Sequence, residues 1–344
     1  MTFRFLLTAT GGAMSPLTIR CLKNSVRHDI LVIAVDARAD AAGRYFADIF
    51  EVVPPGDDPA YVDALGAVAE KHGADLILPC SDEEALALAA AAARFQNDGP
   101  TLACAPLDVL CLMANKPASY RGLEEAGIDT PAWREAGDRE ELEAAIGEMA
   151  RCGDIVVKPA GGRGGRGVFV IRKDISGAHP YNDGREVHLD FDSFRRNYTD
   201  KACIRLPLLI MERLYPPAYD IDVLARQGEL LRVVPRRRLN PAGIPFKGGV
   251  IENSKRLLDL AEKIVRAIGL SWLCDFDIMM NREGEPRVLE LNPRPSGSIA
   301  AAVEAGMPIL DDLVSLAKGE SLPPAELPDQ VMVVPYMSVK VIQP

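Results

Sequence analysis

The chain lacks the usual materials for a metal–thiolate centre, a disulfide scaffold or a membrane span. Its 344 residues hold four histidines and seven cysteines. The cysteines (Cys21, Cys80, Cys104, Cys111, Cys152, Cys203 and Cys274) are odd in number and scattered, with no Cys-x-x-Cys pair. A zinc site or a disulfide framework is therefore not expected. A reducing compartment, the cytoplasm, is, with most thiols acting as small core residues. No segment approaches the roughly 18 apolar residues of a membrane-spanning helix. The apolar start, Met1 to Met14, is broken by Arg4 and closed by Gly11-Gly12, so it reads as a strand and a turn rather than a signal peptide. Positive charge is in deficit, with 39 Lys and Arg against 49 Asp and Glu, a formal charge of −10 and a pI near 5.1. That balance argues against nucleic acid or an anionic membrane as a partner.

What is present fits a soluble globular chain of two or three domains, with 48% hydrophobic residues and a mean hydropathy of +0.03. Residues 1–113 alternate strand and helix. Phe3–Thr8, Ile30–Val35, Ile49–Val53, Leu76–Pro79 and Thr101–Ala103 read as strands, with helices opening at Pro16, Tyr61 and Asp82. This order predicts an open parallel sheet with helices on both faces, whose ligands sit beyond the carboxyl ends of the strands. Those ends carry Thr10-Gly11-Gly12, Asp36 and Ser81-Asp82. Asp36 stands where a ribose-binding acid would, but the first turn lacks Gly-x-Gly-x-x-Gly, so dinucleotide binding is not expected. Asp36 is read as a loop cap and Ser81-Asp82 as a helix N-terminus.

Further on, Asn115-Lys116-Pro117 opens a helix, and Glu140–Met149 reads as another. Ile155-Val156-Val157-Lys158 is a strand ending in a lysine, followed by Gly161-Gly162-Arg163-Gly164-Gly165-Arg166-Gly167 and the strand Val168–Arg172. Gly162, Gly164 and Gly167 match Gly-x-Gly-x-x-Gly as a string, yet they lead into a strand rather than a helix, and no Gly-Lys-Ser/Thr follows. What remains is a glycine-rich hairpin able to offer backbone N–H groups to phosphates, the alternative being a surface turn. Residues 173–200 read as a loop insertion followed by the helix Phe191–Tyr198. Leu208–Leu214 is a strand, and Asp220 and Asp222 share one face of the next. Arg236-Arg237-Arg238 is a basic run in an acidic chain: a surface run on the plain reading, and at a nucleotide site a group expected to meet a phosphate or a substrate carboxylate.

The densest chemistry lies in a hairpin. Cys274–Met280 and Pro286–Asn292 flank a turn at Asn281–Glu285. Asp275 and Asp277 share one strand face, as do Glu290 and Asn292. If the turn centres on Glu283-Gly284, Asp277 lies opposite Glu290 and Asp275 opposite Asn292. Opposed acids repel, and Mg²⁺ is commonly held by one or two carboxylates together with substrate phosphates. A solvated acidic face is the plainer reading of Asp-x-Asp alone. The run Glu290-Leu291-Asn292-Pro293-Arg294 favours a cation site, because it sets an acid, an amide and an arginine within five residues.

Asp277 followed by Glu290-x-Asn292-x-Arg294, together with Lys116, Lys158, the glycine run and Glu212 in that order, resembles the ATP-grasp superfamily over about residues 114–320. Its carbamoyl-phosphate-synthase-like, single-chain carboxylate–amine ligases are the nearest in pattern. The resemblance implies an α/β chain: an N-terminal Rossmann-like parallel sheet domain (1–113), followed by a two-lobed ATP-grasp α+β domain (114–320). Its smaller lobe spans about 117–212 and its larger about 213–320, and the tail 321–344 docks on the core. The resemblance also implies ATP binding by Lys116, Lys158, Gly162, Gly164, Gly165, Gly167, Met211, Glu212, Leu214 and Asp220. It implies one or two Mg²⁺ ions, or Mn²⁺, on Asp277, Glu290 and Asn292, and chemistry by Arg294 and Lys158. A carboxylate would take the γ-phosphate to form an acylphosphate, and an amine would displace phosphate to leave an amide, ADP and Pi. The expected partners are small-molecule carboxylate and amine substrates, with a homodimer admissible. Two other readings stand beside this one: a nucleotide-binding regulator without chemistry, and an NAD-binding oxidoreductase. A loop-anchoring ion pair is the plainer role for Arg294.

Overall fold

The computed structural model describes residues 1–95, 99–151, 153–161, 167–181, 186–198, 206–240 and 246–342. The first 113 residues alternate as their sequence predicts: β1 Phe3–Leu7, α1 Ser15–Lys23, β2 Ile30–Asp36, β3 Ile49–Val52, α2 Tyr61–His72, β4 Leu76–Leu78, α3 Asp82–Ala90, β5 Thr101–Leu102 and α4 Leu107–Ala114. The strands form one parallel sheet in the order β3-β2-β1-β4-β5. Alternation along β1 and β2 splits their apolar side chains between two faces. Phe5, Leu7, Val32 and Ala34 pack with Ile19 and Leu22 of α1, whereas Leu6, Ile33 and Val35 pack with Tyr61 and Leu65 of α2 and Leu88 of α3.

Next come α5 Lys116–Glu125, β6 Trp133–Ala136, α6 Arg139–Met149, β7 Ile155–Pro159, β8 Val168–Ile171, β9 Ala178–Tyr181, β10 Glu186–Leu189, α7 Phe191–Tyr198 and β11 Leu208–Glu212. Their sheet runs β6-β11-β7-β8-β10-β9. The helix at Phe191 stands where the sequence puts it, but the expected loop before it is corrected. It holds β10, parallel to β8, and β9, the edge strand. Pro180 is tolerated there because an edge strand leaves one row of backbone groups unpaired.

The remaining elements are β12 Tyr215–Arg226, β13 Glu229–Arg238, β14 Gly249–Ile251, α8 Lys255–Ile268, β15 Trp272–Met280, β16 Pro286–Asn292, α9 Ile299–Glu304, α10 Ile309–Ala317 and β17 Val331–Val333, whose strands form a third sheet. Its order is β16-β15-β12-β13-β14-β17. Gly269 ends α8 with φ +63°, the left-handed conformation that lets the chain turn back into β15.

The chain divides into two compact units. One comprises Met1–Cys111, Tyr219–Asp277 and Asn292–Pro344. In it a single apolar core runs from Phe5, Leu7 and Val32 to Leu224, Val234, Ile251 and Leu273, and on to Ile309 and Leu313 of α10. The other comprises Leu112–Ala218 and Ile278–Leu291. Its core joins Leu142, Ile146, Val157, Phe169, Phe194 and Ile210, and a second cluster gathers Tyr120, Leu209, Met211 and Leu214. Among the described residues no helix is long and apolar enough to cross a membrane.

Candidate functional site

The first unit gathers four carboxylates and three guanidinium groups on adjacent strands. β12 contributes Asp220 and Asp222, two residues apart and so on one face. β13 pairs antiparallel with it, Asp220 opposite Arg236. β15, on the other side of β12, adds Asp275 and Asp277. The loop after β16 adds Arg294.

Arg236 is fully buried. It donates to Asp222 Oδ2 at 3.0 Å, to Ser298 Oγ at 2.7 Å and to Ser296 Oγ at 3.2 Å, and Asp220 Oδ2 lies 3.4 Å from it. A Cβ on Gly249 would fall 2.6 Å from Arg236 Cγ, so the neighbouring strand needs glycine to admit the stem. Arg238 bridges Asp220 and Asp277 Oδ1, the latter at 2.7 Å. Arg237 turns away to Glu252, at 2.5 Å. The basic run thus meets the protein's own carboxylates, which corrects the expectation of a phosphate or substrate contact. Three of the acids, Asp220, Asp222 and Asp275, are buried and Asp277 half-buried, and cations from the neighbouring strand offset the cost of that burial.

The balance leaves the acids unequal. Burial works against ionised Asp220, yet Arg238 and Arg236 overcome it and hold this carboxyl below its ordinary range. Burial dominates at Asp222 and lifts it, with Arg236 opposing. Asp275 rises furthest above the usual carboxylate range, through burial first and then the charges of Asp277, Asp220 and Asp222. Asp275 Oδ2 accepts from Asn292 Nδ2 at 3.0 Å, and its buried Oδ1 has no hydrogen-bond partner among the described residues.

Asp220, Asp275 and Asp277 each offer an oxygen within 4.8 Å of the others. Hard oxygen donors, clustered, with one buried oxygen left unbonded, fit a divalent cation such as Mg²⁺. Asn292 lies beside them through Asp275. Sequence reasoning placed Asp275 on this face but did not count it among the metal ligands. The available signal was the Asp-x-Asp spacing itself.

Arg294 is held beside this group. Its Nε lies 3.2 Å from Asp82 Oδ1, its Nη2 donates to Asn292 Oδ1 at 3.3 Å, and its Nη1 donates to Pro295 O at 3.0 Å and lies 3.8 Å from Asp275 Oδ2. On the N-terminal sheet, Asp36 closes its own loop, accepting from Gly11 N at 2.6 Å and Arg38 N at 2.9 Å, so it acts as the loop cap its position predicts.

The second unit carries Lys116, Lys158, Gly167, Met211, Glu212, Leu214 and Glu290. Asn115 caps α5 by accepting from Ala118 N at 3.0 Å, which fixes Lys116 as the first helical residue. Lys116 is buried, its N–H donates to Ala160 O at 3.3 Å, and its Nζ lies 3.0 Å from Glu290 Oε1. One turn on, Tyr120 donates to Leu289 O at 2.9 Å, so α5 grips β16 at two successive residues. Lys158 is buried on β7 opposite Leu209. Met211 and Leu214 line the apolar cluster around Tyr120. Glu212 exchanges bonds with Ala132, accepting from its N–H through Oε1 at 3.0 Å and donating N–H to its carbonyl at 2.9 Å. Gly167 turns into β8 with φ +73°. Gly162, Gly164 and Gly165 lie outside the described residues. The β15–β16 turn forms where expected: Asn281 Oδ1 accepts from Glu283 N at 3.1 Å and Glu285 N at 2.8 Å, and Gly284 takes φ +77°.

Comparison with known proteins agrees with these elements. Residues 205–342 match the family described as ATP-grasp in the biosynthetic pathway with Ter operon, and residues 6–103 match the PylC-like N-terminal domain. Among curated proteins the chain is 27% identical over 173 residues to a biotin carboxylase of Haemophilus influenzae, covering 46% of this chain and 36% of that protein. It is 26% identical over 196 residues to the carbamoyl phosphate synthase large chain of Methanobrevibacter smithii, covering 53% and 17%. The chain thus spans little more than a third, or less, of these relatives. Among solved structures it is similar to N5-carboxyaminoimidazole synthetase from Staphylococcus aureus, with TM-score 0.67 and 15% identity over 94% of this chain and 79% of that one. An L-amino acid ligase from Bacillus licheniformis gives TM-score 0.63 and 14% identity over 92% and 74%. These likenesses establish the fold.

Proposed function

We propose that this chain, which carries an ATP-grasp domain, is an ADP-forming ligase that joins a small carboxylate to an amine through an acylphosphate. The observation that carries the proposal is the cluster of Asp220, Asp275 and Asp277 beside Asn292 and Arg294, with its unbonded Asp275 oxygen. An acid cluster with an arginine at its rim suits a reaction in which a cation and a fixed guanidinium meet phosphoryl charge. The similarity to a protein described as an L-amino acid ligase favours an amino acid as one substrate.

Asp277, Glu290 and Asn292, joined by Asp275, would hold Mg²⁺. When bound, Mg²⁺ supplies positive charge to the terminal phosphates of ATP. Lys116 and Lys158 are buried ammonium groups that would neutralise phosphate oxygens, and the glycine run after β7 would donate backbone N–H groups. Met211, Glu212 and Leu214 would lie against the nucleotide base, Glu212 through its backbone and the other two as part of the apolar cluster behind it. Arg294, hydrogen-bonded through Nη2 to Asn292 and paired with Asp82, would stabilise charge on the transferring phosphoryl group and on the acylphosphate as the amine attacks. The products are an amide, ADP and phosphate.

An ADP-release screen tests this. Purified protein with MgATP is supplied with pairs of amino acids and other small acids. The expected result is ADP formed only when both a carboxylate and an amine are present, with an equal amount of amide. ADP release that is indifferent to both partners, or none with any pair, would refute the proposal.

A further inference from the structure

Asp82 opens α3, far in sequence from the β15–β16 hairpin, yet its Oδ1 lies 3.2 Å from Arg294 Nε. We propose that Asp82 is a positioning residue, which sets the Arg294 guanidinium for phosphoryl and acyl transfer; the role rests on the ligase reading above.

The turn that carries Asp82 is stiff. Ser81 caps α3 by accepting from Glu84 N at 3.3 Å. Glu84 in turn accepts from Thr8 Oγ1 at 2.6 Å, and that hydroxyl accepts from Cys80 N at 3.0 Å. Asp82, the first residue of α3, therefore starts from a backbone locked to β1 and β4.

Arg294 needs such an anchor. It sits between Pro293 and Pro295, which restrict its backbone, but its long side chain keeps about 2 kcal/mol of rotamer entropy. Asn292 Oδ1 accepts from Nη2 and Pro295 O from Nη1, and the Asp82 carboxylate faces Nε as an ion pair at 3.2 Å. The guanidinium is then held by its own stretch, residues 292–295, and by one group from a distant element, Asp82. A cation oriented before the reaction does not reorganise during it, and this is where such a group gains its effect. Side-chain exposures of 17% for Asp82 and 19% for Arg294 shield the pair without burying it, so loss of the carboxylate frees the arginine rather than stranding a charge.

Two readouts separate positioning from a merely structural ion pair. The first is labelling of Arg294 by phenylglyoxal, followed by mass spectrometry of its peptide. Asp82→Asn keeps the side-chain shape, and the expected result is several-fold faster labelling with an unchanged melting midpoint. Asp82→Glu should return labelling towards wild type. The second readout is kinetic: Asp82→Asn should lower kcat about tenfold or more with little change in KM for ATP, and should add no further loss in an Arg294→Lys background. Labelling of Arg294 that is equal in wild type and Asp82→Asn overturns the proposal, as does an unchanged kcat. If the wild-type chain forms no ADP with any substrate pair, the ligase reading fails, and the labelling result still decides whether Asp82 holds Arg294.

Discussion

Replacing Arg236 with methionine strips the buried carboxylates of their most deeply placed cation. The side chain is fully enclosed and answers Asp222 at 3.0 Å, Ser298 at 2.7 Å and Ser296 at 3.2 Å. Methionine fills much of the same volume, so the cost is chiefly that of leaving Asp222 unpaired. Breaking one side of a buried ion pair costs about 3–5 kcal/mol. With a urea m-value of about 2–3 kcal/mol/M, the midpoint should fall by about 1–2 M. The loss should depend on pH in a defined direction. Burial already lifts Asp222 above its ordinary range against the pull of Arg236, and removal of Arg236 lifts it further. A carboxyl raised in the folded state binds more protons folded than unfolded, so its cost is absent below the unfolded pKa and grows as pH rises towards the folded one. The deficit should therefore be smaller at pH 5 than at pH 8. Asp222→Asn in the same chain removes the stranded charge and should recover part of the stability. Urea unfolding followed by circular dichroism at both pH values is the assay. A midpoint equal to wild type, a deficit that does not change with pH, or no recovery in the double variant would refute the reasoning.

Other outcomes follow from single contacts. Tyr120→Phe removes the 2.9 Å bond to Leu289 O while keeping the ring, and should cost about 1 kcal/mol in urea unfolding, the net worth of a hydrogen bond to a part-buried carbonyl. Glu290→Ala and Asn292→Ala should leave folded proteins that no longer turn over ATP, and wild-type rates in both at limiting Mg²⁺ would remove them from the metal set. Cys21, pushed up to about 12 by burial and then by Glu304, should resist iodoacetamide at pH 8 while the exposed Cys111 reacts, and Glu304→Gln should speed labelling of Cys21.

The N-terminal sheet was legible because parallel strands buried on both faces read as short apolar runs closed by turn residues. Leu6 packs to one side and Phe5 and Leu7 to the other, and the sequence carries that split in its alternation. The β15–β16 turn was legible for a similar reason: Asn281 and Gly284 are the residue types that its side-chain acceptor and positive φ demand. β9 and β10 were not, since His179, Pro180 and His188 give no apolar alternation. These strands exist through pairing to β8, a tertiary cause that a local window does not contain.

The same distinction governs the site. That Asp275 and Asn292 lie together follows from hairpin pairing, which is local, and the 3.0 Å bond between them bears it out. Which cation answers which acid depends on strand order, β15-β12-β13, and nothing near Asp277 in sequence announces Arg238. Reading Arg236-Arg237-Arg238 alone therefore pointed outward, to phosphate, when two of the three point inward. Ion pairs buried in this way are weak devices for stability, since apolar side chains of equal volume often serve as well. Their number here has a different consequence. They draw Asp220, Asp275 and Asp277 together until each offers an oxygen within 4.8 Å of the others, and among these Asp275 is met least closely, by Arg294 at 3.8 Å and by the amide of Asn292. For stability alone, apolar side chains would serve these positions as well, so the grouping of three carboxylates is better explained by the cation proposed above than by the packing.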